Sequence, residues 1–471
     1  VIAMTDTLHT VPAQTLAIIG GGYSGTLTAV HLLREGRGRP LELVLVEQRA
    51  RPGRGLAYRI WDDSMLLNVP AGNMSALAEQ PTHFLDYCRG IDPAFNAGSF
   101  VPRRIFGDYL EQTLQQAEKD SDLPLTRLQV EAVALRRDAA TKRLRIELAD
   151  GRSVEADRVV LALGYLGAQQ PHLGDELFSS EAWIVNPWNF AAMDRIEDGR
   201  PVLIVGTGHT AVDALFRLTG RDDSRKVYMV SRRGLLPKGH RANPQPPVTA
   251  GFPAYLEGIR PTTLAHLRAI RQELVRRVGA GHNWRDVINE LRPHTPEIWR
   301  RLPPAERRRF LTHLVPYWDV HRHRLAPSAH RRLLGMLERG QVEVVAGRIC
   351  GCELHGDDVR VTLRERASGR LQRLEVAAVV NCTGPNYDVT RHAPALVAQL
   401  HEEGWLQPDA LKLGLEFDDD YHPIGRDGRP VDGLYYVGPM LKARYWEAIA
   451  VPELRRHTLQ LAHRLLAEVE A

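Results

Sequence analysis

Apolar residues along this chain fall into two rhythms. Thr15 to Ile19 is a short, nearly unbroken apolar run. Glycines follow, and Thr26 to Arg34 then places apolar residues at helical spacing. Leu41 to Val46 is a second apolar run, closed by Glu47. This order predicts strand, tight loop, helix, strand. From Thr126 to Leu163 the rhythm turns to β, with predicted strands over Arg127–Arg136, Arg143–Leu148 and Asp157–Leu163. Turn signals such as Ala149-Asp150-Gly151 separate them. A second strand–loop–helix unit opens with Val202–Val205 and continues to Val227–Val230.

Residues Pro261 to Glu338 read mostly as helix, rich in Leu, Arg and Ala and punctuated by prolines. They interrupt the second unit and so predict an insertion. The β rhythm returns in Val342–Val345, Val359–Arg364 and Leu374–Asn381. A last strand, Gly433–Val437, precedes a closing helix from about Pro452 to Glu468. The fold class is α/β, with two Rossmann-like dinucleotide-binding domains. The expected boundaries are 14–170 for the first part of one domain and 185–371 for the other, with its helical insertion at about 251–340. Residues 372–471 are expected to complete the first domain.

Composition changes this picture little. The 471 residues are 44% hydrophobic and 25% charged, an ordinary globular balance. Cys88, Cys350, Cys352 and Cys382 are scattered, with no Cys-x-x-Cys, so neither a zinc framework nor a disulfide reductase is expected. His321-Arg322-His323 lacks a partner at helical spacing, and no metal is expected. No apolar run approaches the ~20 residues that span a bilayer. Val1 to Thr10 does not read as a secretory signal, and a cytoplasmic protein is expected. The net charge is only +4, but residues 251–340 hold 17 arginines against 8 acidic residues. That excess is either a solvated helical face or a field for an anionic small molecule. No nucleic-acid-binding module is recognisable.

Two motifs carry the chemistry. Gly20-Gly21-Gly22-Tyr23-Ser24-Gly25 is a GxGxxG in the right context, with Glu47 at the end of the next strand placed for ribose hydroxyls. Gly206-Thr207-Gly208-His209-Thr210-Ala211 is a GxGxxA whose following strand ends in Ser231-Arg232-Arg233 instead of an acid. A cationic end favours a 2′-phosphate and hence NADPH, although NADH stays open. Leu161 to Gly164 and Asn381 to Gly384 look like strand-to-linker crossings. Tyr435 to Pro439 looks like a strand passing a flavin, and the closing helix, with Pro452 in its first turn, would aim its N-terminus at the flavin.

With these residues in view, the chain resembles a flavoprotein family. That family includes a FAD-dependent urate hydroxylase, of the type unrelated to aromatic hydroxylases, and aspartate or asparagine N-oxygenases. The resemblance rests on Gly20 to Gly25, Gly53 to Tyr58, Leu67 to Ala71, Phe100 to Arg104 and Gly206 to Asp213. It rests also on Ser231 to Gly234, Trp318 to Arg324, Trp446-Glu447 and Ala450 to Pro452. It implies FAD, with NADH or NADPH as reductant, and a monooxygenase in which reduced FAD and O2 form a C4a-hydroperoxide. Urate hydroxylation to 5-hydroxyisourate is the expected activity. N-hydroxylation of an amino acid or amine is the alternative, followed by a non-catalytic FAD scaffold or an NAD(P)H oxidase.

The expected FAD residues are Gly20, Gly22, Tyr23, Ser24, Gly25, Glu47, Gln48, Asn68, Val133, Gly164 and Gly438. For the nicotinamide they are Gly206, Gly208, Thr210, Ser231, Arg232 and Arg233. For a urate anion, Arg103, Arg104, Arg322 and Arg324 are candidate partners. Tyr317, Trp318 and Trp446 would stack on a flat purine or else serve as core aromatics. Asn68 and Asn73 would hydrogen-bond the oxygen donor or substrate. Asn68, Arg103, Trp318 and Arg322 are the expected catalytic set.

Overall fold

A computed structural model of the chain describes residues 13–242 and 251–469. The segment 1–10, considered above as a possible leader, lies outside the described residues. Three sheets organise the chain. The first is parallel and five-stranded, in the order β15-β7-β1-β2-β3. Its strands are β1 (Gln14–Ile19), β2 (Leu41–Val46), β3 (Leu125–Leu128), β7 (Arg158–Leu161) and β15 (Leu434–Tyr436). A small antiparallel sheet of β4 (Ala132–Arg137), β5 (Leu144–Leu148) and β6 (Ser153–Ala156) is attached to it. The central strands are buried on both faces, which is why they read as continuous apolar runs and not as alternation.

The third sheet runs β13-β12-β11-β10-β9-β14-β8. It comprises β8 (Trp183–Ile184), β9 (Val202–Val205), β10 (Val227–Ser231), β11 (Val342–His355), β12 (Asp358–Glu365), β13 (Leu371–Val376) and β14 (Ala378–Asn381). The strands from β8 to β11 pair in parallel, and β11 to β13 form an antiparallel flap. Between β10 and β11 the chain leaves the sheet for the helices Thr263–Gly279, Trp284–Leu291, Thr295–Arg301, Pro304–His313, Val315–Arg322 and Pro327–Glu338.

Three expectations shift. Residues 127–136 divide into β3 and β4, which join different sheets; β3 half-buries its leucines and β4 buries Ala132, Ala134 and Leu135, so the rhythm ran on through the turn between them. Leu374 to Asn381 likewise divides into β13 and β14. Because β14 pairs with β9, residues 372–381 belong to the second domain's sheet, past the boundary expected at 372. The chain leaves the first sheet after Leu161 and returns after Asn381. The two linkers lie side by side, with the Asn386 N–H donating to the Gly167 carbonyl (2.8 Å).

Candidate active site

The loop after β1 shows why its glycines are needed. Gly20 has φ +103°, and a Cβ there would collide with the Ala162 carbonyl. A Cβ on Gly25 would strike the Gly20 carbonyl, so this glycine lets the helix Tyr23–Glu35 sit against the loop. Gly22 caps that helix without any side-chain hydrogen bond, which leaves N–H groups at its positive end for a phosphate. The Glu47 carboxylate accepts from the Gly21 N–H (2.7 Å) and from the Arg49 N–H (2.8 Å). These contacts hold an acid beside the loop.

A cleft of about 360 Å³ opens over this loop. Gly20, Gly22, Tyr23, Ser24, Glu47, Gln48 and Gly164 line it. Gly25 stands behind the loop. The wall formed by the start of β4 is Val130, Glu131 and Ala132; strand alternation turns Val133 away. Pro439 lines the cleft in place of Gly438, whose φ of +153° leaves no room for a side chain beside the Tyr436 hydroxyl. Ile449, Val451 and Leu454, at the entry of the closing helix Val451–Val469, form the opposite wall. A cradle without side chains, an uncapped helix start and an acid at the strand end fit FAD.

The second loop repeats the device. Gly206 has φ +125°, and its Cβ would collide with the Cys382 carbonyl. Gly208 caps the helix His209–Arg221, again without a side-chain bond, and faces open space. Thr210 sits in the first turn of that helix. The end of β10 departs from expectation. The Ser231 Oγ accepts from the Gly234 N–H and shares a hydrogen bond with the Thr207 hydroxyl (3.0 Å each). Arg233 donates to the Thr312 carbonyl and lies over the Tyr317 ring. Ser231 and Arg233 thus shape the turn, and Arg232 carries the exposed guanidinium.

The arginines expected to meet an anion are mostly spent on carboxylates. Arg103 pairs with Asp213 (2.8 Å), linking the helix Arg103–Asp120 of the first domain to the helix after the second glycine loop. Its guanidinium also lies over Trp188. Arg104 pairs with Asp63. Arg322, 7% exposed, pairs with Glu447, 2% exposed (2.7 Å). Beside it, Arg292 pairs with Glu453 (2.8 Å). The basic insertion is therefore in part a clamp that holds the segment 446–453 against the flavin cleft. Arg324 differs from the other three, since it bonds Asn289 and meets no carboxylate among the described residues.

The aromatic and amide candidates also move. Trp446 packs at a tilt against Trp299 (centroids 4.6 Å apart), with Phe310 edge-on, and is 5% exposed. Its φ of +48° is unusual for a bulky residue and marks a strained position. Trp318 packs between the two apolar clusters of the insertion, and Tyr317 is exposed under Arg233. Asn68 and Asn73 do not line the cleft. The Asn68 carbonyl instead accepts from His240 Nε2 (3.0 Å) at the domain junction.

Inside the insertion lies an apolar cavity of about 630 Å³, walled by side chains such as Ile270, Trp284, Ile288, Trp299, Trp318 and Trp446. Trp446 lines this cavity and Ile449 lines the flavin cleft, on one short segment. The junction between them holds residues that the sequence reading missed. The Lys442 ammonium lies over Trp446 (4.5 Å) and over Tyr387 (5.6 Å). Tyr387 packs edge-on against Tyr165, a wall of the cleft. Burial lowers the Lys442 pKa, with Asp319 and Glu447 opposing. Burial pushes the Asp319 carboxyl up to about 6, against the pull of Lys442, although its side chain stays 46% exposed. The one available signal was position in sequence: Asp319 lies within the Trp318–Arg324 motif, and Lys442 stands four residues before Trp446-Glu447.

A family profile described as FAD-NAD(P)-binding matches residues 17–166. A search of curated protein sequences gave no match. Solved structures share the fold over almost the whole chain. The reduced form of an ornithine hydroxylase from Pseudomonas aeruginosa superposes with TM-score 0.67 at 16% identity, covering 98% of this chain and 100% of that one. L-lysine 6-monooxygenase from Pseudomonas syringae gives 0.65 at 18%, covering 97% and 99%. The FAD-bound cadaverine monooxygenase of desferrioxamine biosynthesis from Erwinia amylovora gives 0.67 at 14%, covering 97% and 95%. This chain has the fold of flavin-dependent monooxygenases, and it is built to bind FAD and NAD(P)H. Among the described residues no helix is long and apolar enough to cross a membrane.

Proposed function

We propose that this protein is an NAD(P)H- and FAD-dependent monooxygenase that N-hydroxylates a primary amine. The observation that carries the reading is the junction of Lys442, Asp319 and Tyr387, set between the FAD cleft and the apolar cavity. Bound there, FAD would accept hydride from the nicotinamide and activate dioxygen for transfer of one oxygen atom. The protein's part is to seat both dinucleotides, shut out water and present the amine without its proton. Asp319 suits the last task. Above pH of about 6 its carboxylate is ionised and able to take a proton from an ammonium group. Lys442, close enough to influence Asp319, helps to hold that carboxylate ionised.

Urate hydroxylation is supported less well. It called for arginines available to an anionic purine, and Arg103, Arg104 and Arg322 are each held by a carboxylate. The three structural neighbours named above are enzymes of ornithine, lysine and cadaverine. The test is to follow NADPH and NADH oxidation with a panel of primary amines and with urate, and to assay hydroxylamine product. Amine-dependent oxidation with hydroxylamine formation is expected. Stimulation by urate with loss of urate absorbance, and none by amines, would overturn the proposal.

A further inference from the structure

The wall of the apolar cavity holds six basic side chains and, among the described residues, no acidic one. The positive charge is concentrated around Trp284. Arg285 lies over that ring (4.4 Å) and donates twice to the Gly239 carbonyl. Lys238 and His330 line the wall on either side of Gly239's turn, where a Cβ on Gly239 would meet the His330 ring. Behind Trp284 stands Arg324, also over the ring (5.8 Å) and 4% exposed, with Nε and Nη1 unpartnered. Nearby acids are committed elsewhere, Asp286 to Arg241 and Glu290 to Arg277. Burial and the neighbouring arginines lower the Arg324 pKa to about 9. Buried positive charge without a counter-ion is costly, and an anion seated there would relieve it.

Another part of the same wall is aromatic and uncharged: Trp299, Phe310 and Trp446 in one cluster, next to the flavin cleft. We infer that the cavity seats a substrate with a carboxylate at the Arg285 end, held by Arg285 and by the field of Arg324 behind Trp284, an apolar body along the aliphatic and aromatic wall, and its primary amine at the Trp446 end. The inference rests on the N-hydroxylation reading for the amine, but the carboxylate and body rest on the cavity alone.

Isothermal titration of the FAD-loaded protein with octanoate, octanamide and octylamine tests this. Octanoate is expected to bind about tenfold or more tightly than the isosteric amide, the loss of one charge-assisted contact. Arg285→Leu and Arg324→Met are expected to weaken octanoate by about tenfold and leave octanamide unchanged. Ile270→Trp, which fills the cavity, is expected to abolish both. FAD content and melting temperature show that each variant is folded. Equal binding of octanoate and octanamide, or wild-type octanoate binding by R285L and R324M or by I270W, would overturn the inference. Turnover of ω-aminooctanoate separates the two proposals. Octanoate binding as described with no hydroxylamine from this amine or any other sinks N-hydroxylation and leaves the cavity assignment standing. Hydroxylamine from small amines without octanoate binding sinks the cavity assignment alone.

Discussion

The two glycine loops are built alike and finished differently. Both turn on a glycine with positive φ pressed against a backbone carbonyl, and both end in a helix capped by glycine alone. At the first, Glu47 bonds back to the loop and stands at the edge of a deep cleft. At the second, the corresponding strand ends in a serine that closes its own turn and in Arg232, exposed to solvent. The difference matches two kinds of tenancy. A cofactor that stays would be enclosed and gripped at its ribose, whereas a reductant that comes and goes would meet an open loop with a cation at the rim.

That comparison breaks first at the glycines. Gly20→Ala is expected to purify colourless, with FAD content reduced by about tenfold or more because the methyl displaces the Ala162 carbonyl. Gly206→Ala is expected to stay yellow, yet to lose about tenfold or more in the rate of flavin reduction by NADPH. Absorbance near the flavin band and stopped-flow reduction report the two outcomes. If both variants lose flavin equally, the loops are not divided in the way described.

Glu47→Gln is expected next. It keeps the shape but removes the charge that accepts from Gly21, weakening FAD by about 1.5 kcal/mol, roughly tenfold, in equilibrium dialysis. Asp319→Asn is expected to erase the limb of the pH–rate profile near 6. The sign follows from the raised pKa: the carboxyl is protonated and idle below about 6 and ionised above it, so wild-type activity rises through that range. A D319N profile with the same limb would assign it to another group. The smallest effect belongs to Arg232→Ala. An exposed cation at a phosphate should raise KM for NADPH by a few-fold and leave that for NADH unchanged.

Much of this arrangement could be read before any coordinates. The Gly20 loop, Glu47, the second loop and the insertion are local patterns, and each lies where the spacing of apolar and glycine residues places it. The pairing of Arg322 with Glu447 was not legible. The partners stand in two motifs that only the fold brings together. For the same reason the arginine excess in the insertion left a solvated face and a field for an anion as open alternatives, when much of it clamps helices to one another and to the C-terminal segment. Lys442 and Tyr387 carry no motif at all, and Asp319 lies inside the Trp318–Arg324 motif without standing out in it. Their interest comes from meeting between two cavities, which is a property of the domain packing. Trp446 was legible as an aromatic near the site but not as the residue shared by cleft and cavity.

The most direct test of the account is anaerobic. Purified protein should be yellow with bound FAD, and mixing it with NADPH under nitrogen should bleach the flavin in a single transition, with oxygen and a primary amine then restoring the colour and yielding hydroxylamine. A yellow protein that neither NADPH nor NADH bleaches would contradict it, leaving two dinucleotide folds without the hydride transfer between them.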